Sequence, residues 1–339
     1  MKTDPGLIEG GEGWWGLEEQ SYQFFGYSVV QALGSMFGEW ALTGACAINS
    51  MVTLGEQRLS SGVDVVVPKS DLKKVVSDPL RFAGRLNQVI EKNVHPETLE
   101  LHPAANISLG MFDFMESSDE YVSFICTVKG GHLFLKDTVR CSPNLLPKYS
   151  FIEGNAKLLN QRISPFFLKI RFKAVETKPE RPLTEGIIHK GRFVNYASTK
   201  KGLSPLSVNV PNPEVLLASK LNMIFQSSIN QGLIRSTPLS MHYSMRYGRK
   251  RVFGGDLYDL LVLSTRCNLA EIKPILEQMV TEPVNAMLDR TIEAIKLMSS
   301  LRLYVDLNPL LPGNLSVDST KWKQYCDQAI GIVKRIRES

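Results

Sequence analysis

Paired cysteines are missing from this sequence. Its five cysteines, Cys46, Cys126, Cys141, Cys267 and Cys326, are odd in number, and no two stand at Cys-x-x-Cys spacing. That pattern suggests neither a zinc knuckle nor a disulfide framework, and a reducing compartment is the simplest reading. Histidine is as sparse. His95, His102, His132, His189 and His242 never fall three or four residues apart, so no helical metal motif of the His-Glu-x-x-His kind exists. No apolar run reaches the roughly 18 residues of a membrane span. Residues 1–16 are acidic and Gly-rich, without the basic and apolar stretches of a signal peptide. The expectation is a cytoplasmic protein with no membrane partner. Neither sign of charge dominates: 39 Lys and Arg against 34 Asp and Glu leave +5. This mild excess permits a polyanionic partner and does not require one. Gly-x-Gly-x-x-Gly, a Walker loop and Ser or Cys nucleophile signatures are lacking too.

What is present is a globular composition. Of 339 residues, 43% are hydrophobic and 22% charged, which excludes a disordered or low-complexity chain. The length predicts one large domain or two ordinary ones. Residues 1–16 read as a flexible or docking arm ending in Trp14 and Trp15. Helical spacing of apolar residues covers Leu17 to Phe37. Trp40 to Leu42 reads as a short strand, Cys46 to Thr53 as a small-residue helix, and the β-branched run Val63 to Val67 as a buried strand. Helical periodicity returns from Asp71 to Asn93 with a break near Asp78-Pro79. Ile107–Phe114, Tyr121–Val128, His132–Arg140 and Phe166–Val175 are further strands. Residues 181–212 form a connecting segment with little periodicity. From Pro213 the texture is helical: Glu214 to Asn230, Asp256 to Thr265, Leu269 to Met279, Val284 to Leu301 and Thr320 to Arg337. The fold class expected is α+β. A mixed sheet with flanking helices occupies 17–180, and a helical domain occupies 213–339.

Two segments carry chemistry. Small residues at Gly44-Ala45-Cys46-Ala47, directly after a strand, let a helix N-terminus approach a phosphate closely. Asp64 on the strand beyond is suited to hold Mg²⁺ for phosphoryl chemistry. Taken alone, such a run of small residues more often reflects plain close packing. In the helical half, Lys220 sits among mostly apolar positions, and Asp256 and Asp259 are three apart on one helix face. The plain alternatives are a surface lysine with a buried stem and a first-turn acid.

Together these segments resemble the AbiEii-like, abortive-infection and toxin-type branch of the nucleotidyltransferase superfamily. Gly44-Ala45-Cys46-Ala47 matches that family's Gly-Gly-x-Ala turn. Arg58-Leu59-Ser60-Ser61-Gly62-Val63-Asp64 matches its Arg-x-Ser/Thr-x-Asp-Ile-Asp strand. Glu214 to Lys220 matches a Glu-x-Leu-x-x-x-Lys helix, and Gly255-Asp256-Leu257-Tyr258-Asp259-Leu260 an Arg-Asp-x-x-Asp-Leu helix. The resemblance implies a nucleotidyltransferase-like fold and a transfer of nucleoside monophosphate from a nucleoside triphosphate to RNA or protein. It implies Asp64 as metal ligand, with Lys220 and Asp256 as its catalytic companions. Gly44, Ala45, Arg58, Ser60, Arg251 and Asp259 fall in nucleotide-binding positions.

The departures bear on activity. The family's first metal-binding Asp falls at Gly62, so only Asp64 of the pair remains. The strand expected to bring a third carboxylate offers Lys169, Arg171 and Lys173. Asp113 and Glu176 are the substitutes to consider. Two Mg²⁺ ions close together need several carboxylates to offset their repulsion. A pseudoenzyme that binds a nucleotide, RNA or protein partner is therefore the first expectation. An active Mg²⁺-dependent enzyme is the second, and a structural or self-associating protein the third. RNA would be met through basic segments: Arg246-Tyr247-Gly248-Arg249-Lys250-Arg251, and the C-terminal helix with Lys321, Lys323, Lys334, Arg335 and Arg337.

Overall fold

A computed structural model of the chain describes residues 17–60, 62–93, 100–102, 107–117, 121–129, 169–174, 189–200, 202–230, 233, 253–311 and 315–339. The arm with Trp14 and Trp15, the His132–Arg140 strand and the Arg246–Arg251 patch lie outside the described residues. The fold is α+β. Two compact units are formed, one from Met1–Ser50, Leu59–Ala174 and Gly191–Val208, the other from Met51–Arg58, Val175–Lys190 and Asn209–Ser339.

The first unit is built on a six-stranded mixed sheet in the order β1-β2-β6-β5-β4-β3. Its strands are β1 (Ala41–Thr43), β2 (Val63–Val67), β3 (Glu100–His102), β4 (Ile107–Ser117), β5 (Tyr121–Lys129) and β6 (Lys169–Ala174). β2 and β6 run parallel and the other pairs antiparallel. β2 is buried at every position but Asp64, as its Val-rich run predicts for a strand covered on both faces. Helix α1 (Leu17–Met36) precedes the sheet, α2 (Gly44–Asn49) follows β1 without a loop, and α3 (Lys69–Ser77) and α4 (Pro79–Asn93) follow β2. The break between α3 and α4 has a local cause. The Asp78 side chain accepts a hydrogen bond from the Arg81 N–H at 3.1 Å, which makes Asp78 the N-cap and puts Pro79 at the first helical position, where its missing N–H costs nothing.

Four rings hold the helices to the sheet. Phe82 on α4 meets Phe172 edge-on at 5.3 Å and Phe124 at 5.2 Å, and Phe37 lies 5.5 Å from Phe172. Such pairs contribute roughly 0.5–1.5 kcal/mol each beyond the area they bury. The connecting segment is more regular than its sequence suggests. It holds β7 (His189–Phe193), α5 (Tyr196–Lys200) and β8 (Leu206–Val210), with β7 and β8 paired as a separate ladder. The α5 turn is fastened to α1: the Tyr27 hydroxyl donates to Ser204 O at 2.6 Å, and Gln23 Oε1 accepts from the Ala197 N–H at 3.1 Å.

The second unit contains α6 (Pro213–Asn230), α7 (Phe253–Ser264), α8 (Ile272–Met279), α9 (Val284–Ser299), the single turn α10 (Tyr304–Leu307) and α11 (Ser319–Glu338). α11 starts at Asp318, whose carboxylate accepts from the Lys321 N–H at 2.8 Å. Its buried positions Trp322, Cys326, Ala329, Val333 and Ile336 recur at helical spacing. The Trp322 indole, 1% exposed, donates to Met298 O on α9 at 3.1 Å, so its one polar atom is satisfied. Gly254 is a packing glycine: a Cβ there would come within 2.9 Å of Leu307 Cβ and 3.0 Å of Leu303 O. Among the described residues, no helix is long and apolar enough to cross a membrane.

Candidate functional site

In the sheet unit, the turn from β1 into α2 is made by Gly44, whose φ of 62° lies in the left-handed region. A Cβ at this position would stand 2.9 Å from the Asp64 Oδ2 atom. Glycine is therefore required twice, for the backbone angle and for the approach of a carboxylate. Ala45, Cys46, Ala47 and Ile48 are all buried, which is the close packing that small residues allow. α2 has only six residues, so it has little macrodipole to offer an anion. The Cys46 thiol donates to Gly62 O at 3.4 Å and the Ser60 hydroxyl to the same oxygen at 2.6 Å. Ser60 is thus buried, with its hydroxyl committed to the backbone in front of β2.

Strand register defines what lies beside Asp64. Its Cα partner on β1 is Thr43 and on β6 is Arg171, and Arg171 in turn pairs with Ser123 on β5. Phe124 and Phe172 belong to the alternate rows, which meet Phe82 and Phe37. Side chains alternate across a sheet, so Asp64 is on the face turned away from that aromatic cluster. Asp113 pairs with Ile125, three strands from β2. Three spacings amount to about 14 Å, too far to share an ion with Asp64. Glu176 lies outside the described residues, as does Arg251. Among the described residues no group of three or more His, Cys, Asp and Glu is placed to hold a metal ion. The register neighbours of Asp64, Thr43 and Arg171, supply no second carboxylate.

The helical unit holds a compact set of buried charges. Arg58 Nε donates to Asp259 Oδ1 at 2.7 Å and Nη2 to Oδ2 at 2.6 Å, a two-pronged pairing. The Lys220 ammonium lies 2.8 Å from Asp256 Oδ1 and 2.7 Å from Asp259 Oδ2. Arg58, Lys220, Asp256 and Asp259 are 9%, 3%, 5% and 2% exposed. Lys220 is thus no surface lysine. Asp256 is the first-turn acid of α7 that its position suggested, and it is also an ion-pair partner. Two cations and two anions balance, which is the condition under which buried charges persist. Gly255 has a place in this arrangement. A Cβ there would be 3.2 Å from Arg58 Cζ and 3.4 Å from Arg58 Nε, so its absence admits the guanidinium.

Glu214, the first residue of the third motif, is 8% exposed and accepts from the Asn268 N–H at 2.9 Å. It ties the start of α6 to the turn before α8. A second group went unread in the sequence although a signal existed. Thr53-Leu54-Gly55-Glu56 is a capping box, and Glu56 also pairs with Arg266 at 2.6 Å. The Tyr258 hydroxyl on α7 donates to Glu56 O at 3.0 Å. Burial alone would raise the Glu56 pKa, but hydrogen bonds from Arg266 and Thr53 outweigh it, and the net direction is down. A lowered carboxylate stabilises the fold above its ordinary value of 4.5 and loses that contribution as pH falls further. Glu56→Gln is therefore expected to cost about 0.2–1 kcal/mol at neutral pH, given the partial exposure of the pair. The difference from wild type should vanish on acidification below that range, as followed by urea unfolding at several pH values.

Two of the cysteines are poor nucleophiles. Burial pushes Cys267 and Cys326 each up to about 12, so both stay protonated at neutral pH.

No protein-family model matches the sequence, and no curated protein matches it. Solved structures that match the chain include two from Helicobacter pylori. JHP933 from Helicobacter pylori superposes with a TM-score of 0.44 at 13% identity, over 94% of this chain and 92% of that one. A protein of H. pylori provisionally described as a nucleotidyltransferase gives a TM-score of 0.43 at 12% identity, over 94% of this chain and 93% of that one.

Proposed function

We propose that the chain is a nucleotidyltransferase-type protein of the AbiEii-like kind that binds a nucleoside triphosphate and has given up two-metal catalysis. The observation that supports this reading best is the pairing of Gly44 with Asp64 on a strand whose parallel neighbour sets Arg171 level with the aspartate. The glycine turn keeps the approach that a phosphate-handling site needs. The register position level with Asp64 is held by an arginine where the resemblance leads one to expect a carboxylate, a residue type that suits a phosphate oxygen better than a second cation. Asp64 with substrate phosphates is enough to hold one Mg²⁺. In this reading Lys220, Asp256, Arg58 and Asp259 serve one another first, since each is already engaged in the buried network.

Equilibrium binding of labelled ATP, CTP, GTP and UTP, with and without Mg²⁺, tests the reading. Wild type is expected to bind at least one triphosphate with no more than about a tenfold gain from Mg²⁺, which is 1.4 kcal/mol. Gly62→Asp should enlarge the Mg²⁺ effect, and Asp64→Ala should abolish it. Mg²⁺-dependent pyrophosphate release by wild type would overturn the non-catalytic reading. Absence of triphosphate binding in both wild type and Gly62→Asp would overturn the nucleotide reading altogether.

A further inference from the structure

The outer side of α4 has a pattern that the nucleotide site does not use. Arg81, Arg85, Gln88 and Lys92 are all exposed. They follow one another at four, three and four residues, which places them in one line along the helix. At 1.5 Å per residue the line is about 16 Å long. The opposite side of α4 is committed to the core through Ala83, Leu86 and Ile90. Lys73, exposed on α3, adds a further cation to the same helical pair. Two acids of this helical pair are engaged, Asp71 with Lys74 at 2.8 Å and Asp78 as the cap of α4, and α4 itself carries one acid, Glu91, against Arg81, Arg85 and Lys92. Among the described residues none of Lys73, Arg81, Arg85 and Lys92 takes part in an ion pair. Arg81 and Arg85, four residues apart, repel each other modestly on an isolated helix, and an anion laid along the row would relieve that repulsion.

We propose that this face of α4 docks double-helical RNA, with Arg81, Arg85 and Lys92 on backbone phosphates and Gln88 placed to meet a 2′-hydroxyl. The choice among polyanions follows from what the face lacks. Among the described residues it offers no exposed aromatic platform on which the bases of a single strand would stack. It has too little apolar area for a membrane surface: the buried stripe of α4 is already used, and Leu80, 72% exposed, stands alone at the corner. Sequence reading in a DNA major groove needs several side chains aimed at base edges, whereas here long cations form a row with a single amide among them. Backbone and 2′-hydroxyl contacts by shape are how RNA duplexes are recognised. The surface is independent of the nucleotide reading, since none of its residues belongs to that site.

The test is a titration of the full chain with a labelled RNA duplex of about 20 base pairs, longer than the roughly 16 that a compact duplex-binding module spans. Binding is expected to weaken steeply with salt. The Arg81→Ala, Arg85→Ala double variant should lower the magnitude of the log–log salt slope by about 2, one for each phosphate no longer neutralised. Its affinity should fall by about tenfold or more at low salt, while its triphosphate binding stays at the wild-type level. Lys296→Ala with Arg302→Ala, at exposed positions outside any basic segment considered for RNA, should leave RNA binding unchanged. Circular dichroism of each variant establishes that it is folded, which these exposed positions favour. The proposal is overturned if wild type does not bind the duplex, or if the α4 variant keeps wild-type affinity and slope. It is equally overturned if a DNA duplex, single-stranded RNA or an anionic vesicle binds better than the RNA duplex.

Discussion

Lys220→Met is expected to destabilise the helical unit by about 3–5 kcal/mol, the usual consequence of removing one partner from a buried ion pair. The ammonium stands between Asp256 and Asp259, at 2.8 and 2.7 Å. Its loss leaves two buried carboxylates on one face of α7, with the Arg58 guanidinium already divided between both oxygens of Asp259. Urea unfolding should show a lower midpoint with little change in slope. Adding Asp256→Asn removes one negative charge and should recover part of the loss. The coupling between the two changes is expected at about 0.5–3 kcal/mol, as for residues in direct contact. A Lys220→Met protein as stable as wild type would show that the network contributes nothing to the fold, and would return Lys220 to the chemistry. The distinction matters because a residue matching a catalytic motif can be retained for either reason.

The second large effect is expected at Gly44. Gly44→Ala forces a left-handed angle on a residue with a Cβ, at about 1–2 kcal/mol. It also drives that Cβ to 2.9 Å from Asp64 Oδ2. The carboxylate is the free end of a rotatable side chain, so it shifts rather than breaking the turn, and the total is expected at about 2–3 kcal/mol. The two parts separate in an Asp64→Ala background. There the collision is gone and Gly44→Ala should cost only the backbone part. Thermal unfolding of the four proteins gives both. The displaced carboxylate should also remove whatever part of triphosphate binding depends on Mg²⁺. Gly44→Ala with unaltered stability and unaltered Mg²⁺ dependence would dissociate the turn from the aspartate.

Local signals carried most of the secondary structure. α1, the break at Asp78-Pro79, β2 and, apart from the single turn α10, the helices from α6 onward could be read from periodicity and caps, because each is specified by residues close in sequence. β8 could have been read: Leu206-Ser207-Val208-Asn209-Val210 alternates between Ser204-Pro205 and Pro211-Asn212-Pro213, which are turn signals on both sides, but three apolar residues make a weak strand pattern. β6 was read as a strand, yet its place next to β2 was not available from sequence, since parallel pairing joins residues a hundred apart. The candidate site divided in the same way. That Asp256 and Asp259 share a face follows from helix geometry alone, and Lys220 touches both. That Arg58 pairs with Asp259 involves residues 201 apart, and no local pattern announces it. Gly255 read as a lost arginine; in the structure it is the gap through which another arginine passes. A further accessible signal left unused was Thr53-x-x-Glu56, a helix-start signature.

The eight residues Met51–Arg58 belong with the helical unit, although the chain makes them between α2 and β2. A gene fragment starting at residue 213 would thus encode the C-terminal helices without the guanidinium that answers Asp259 and without the Glu56 carboxylate that answers Arg266. No single cut separates the two units with their charges intact. On the ribosome, Arg58 emerges some two hundred residues before its partner, and must wait through the synthesis of most of the sheet. Recombination that swapped the helical half alone between relatives would carry the same defect. The interleaving binds the two halves into one unit of inheritance.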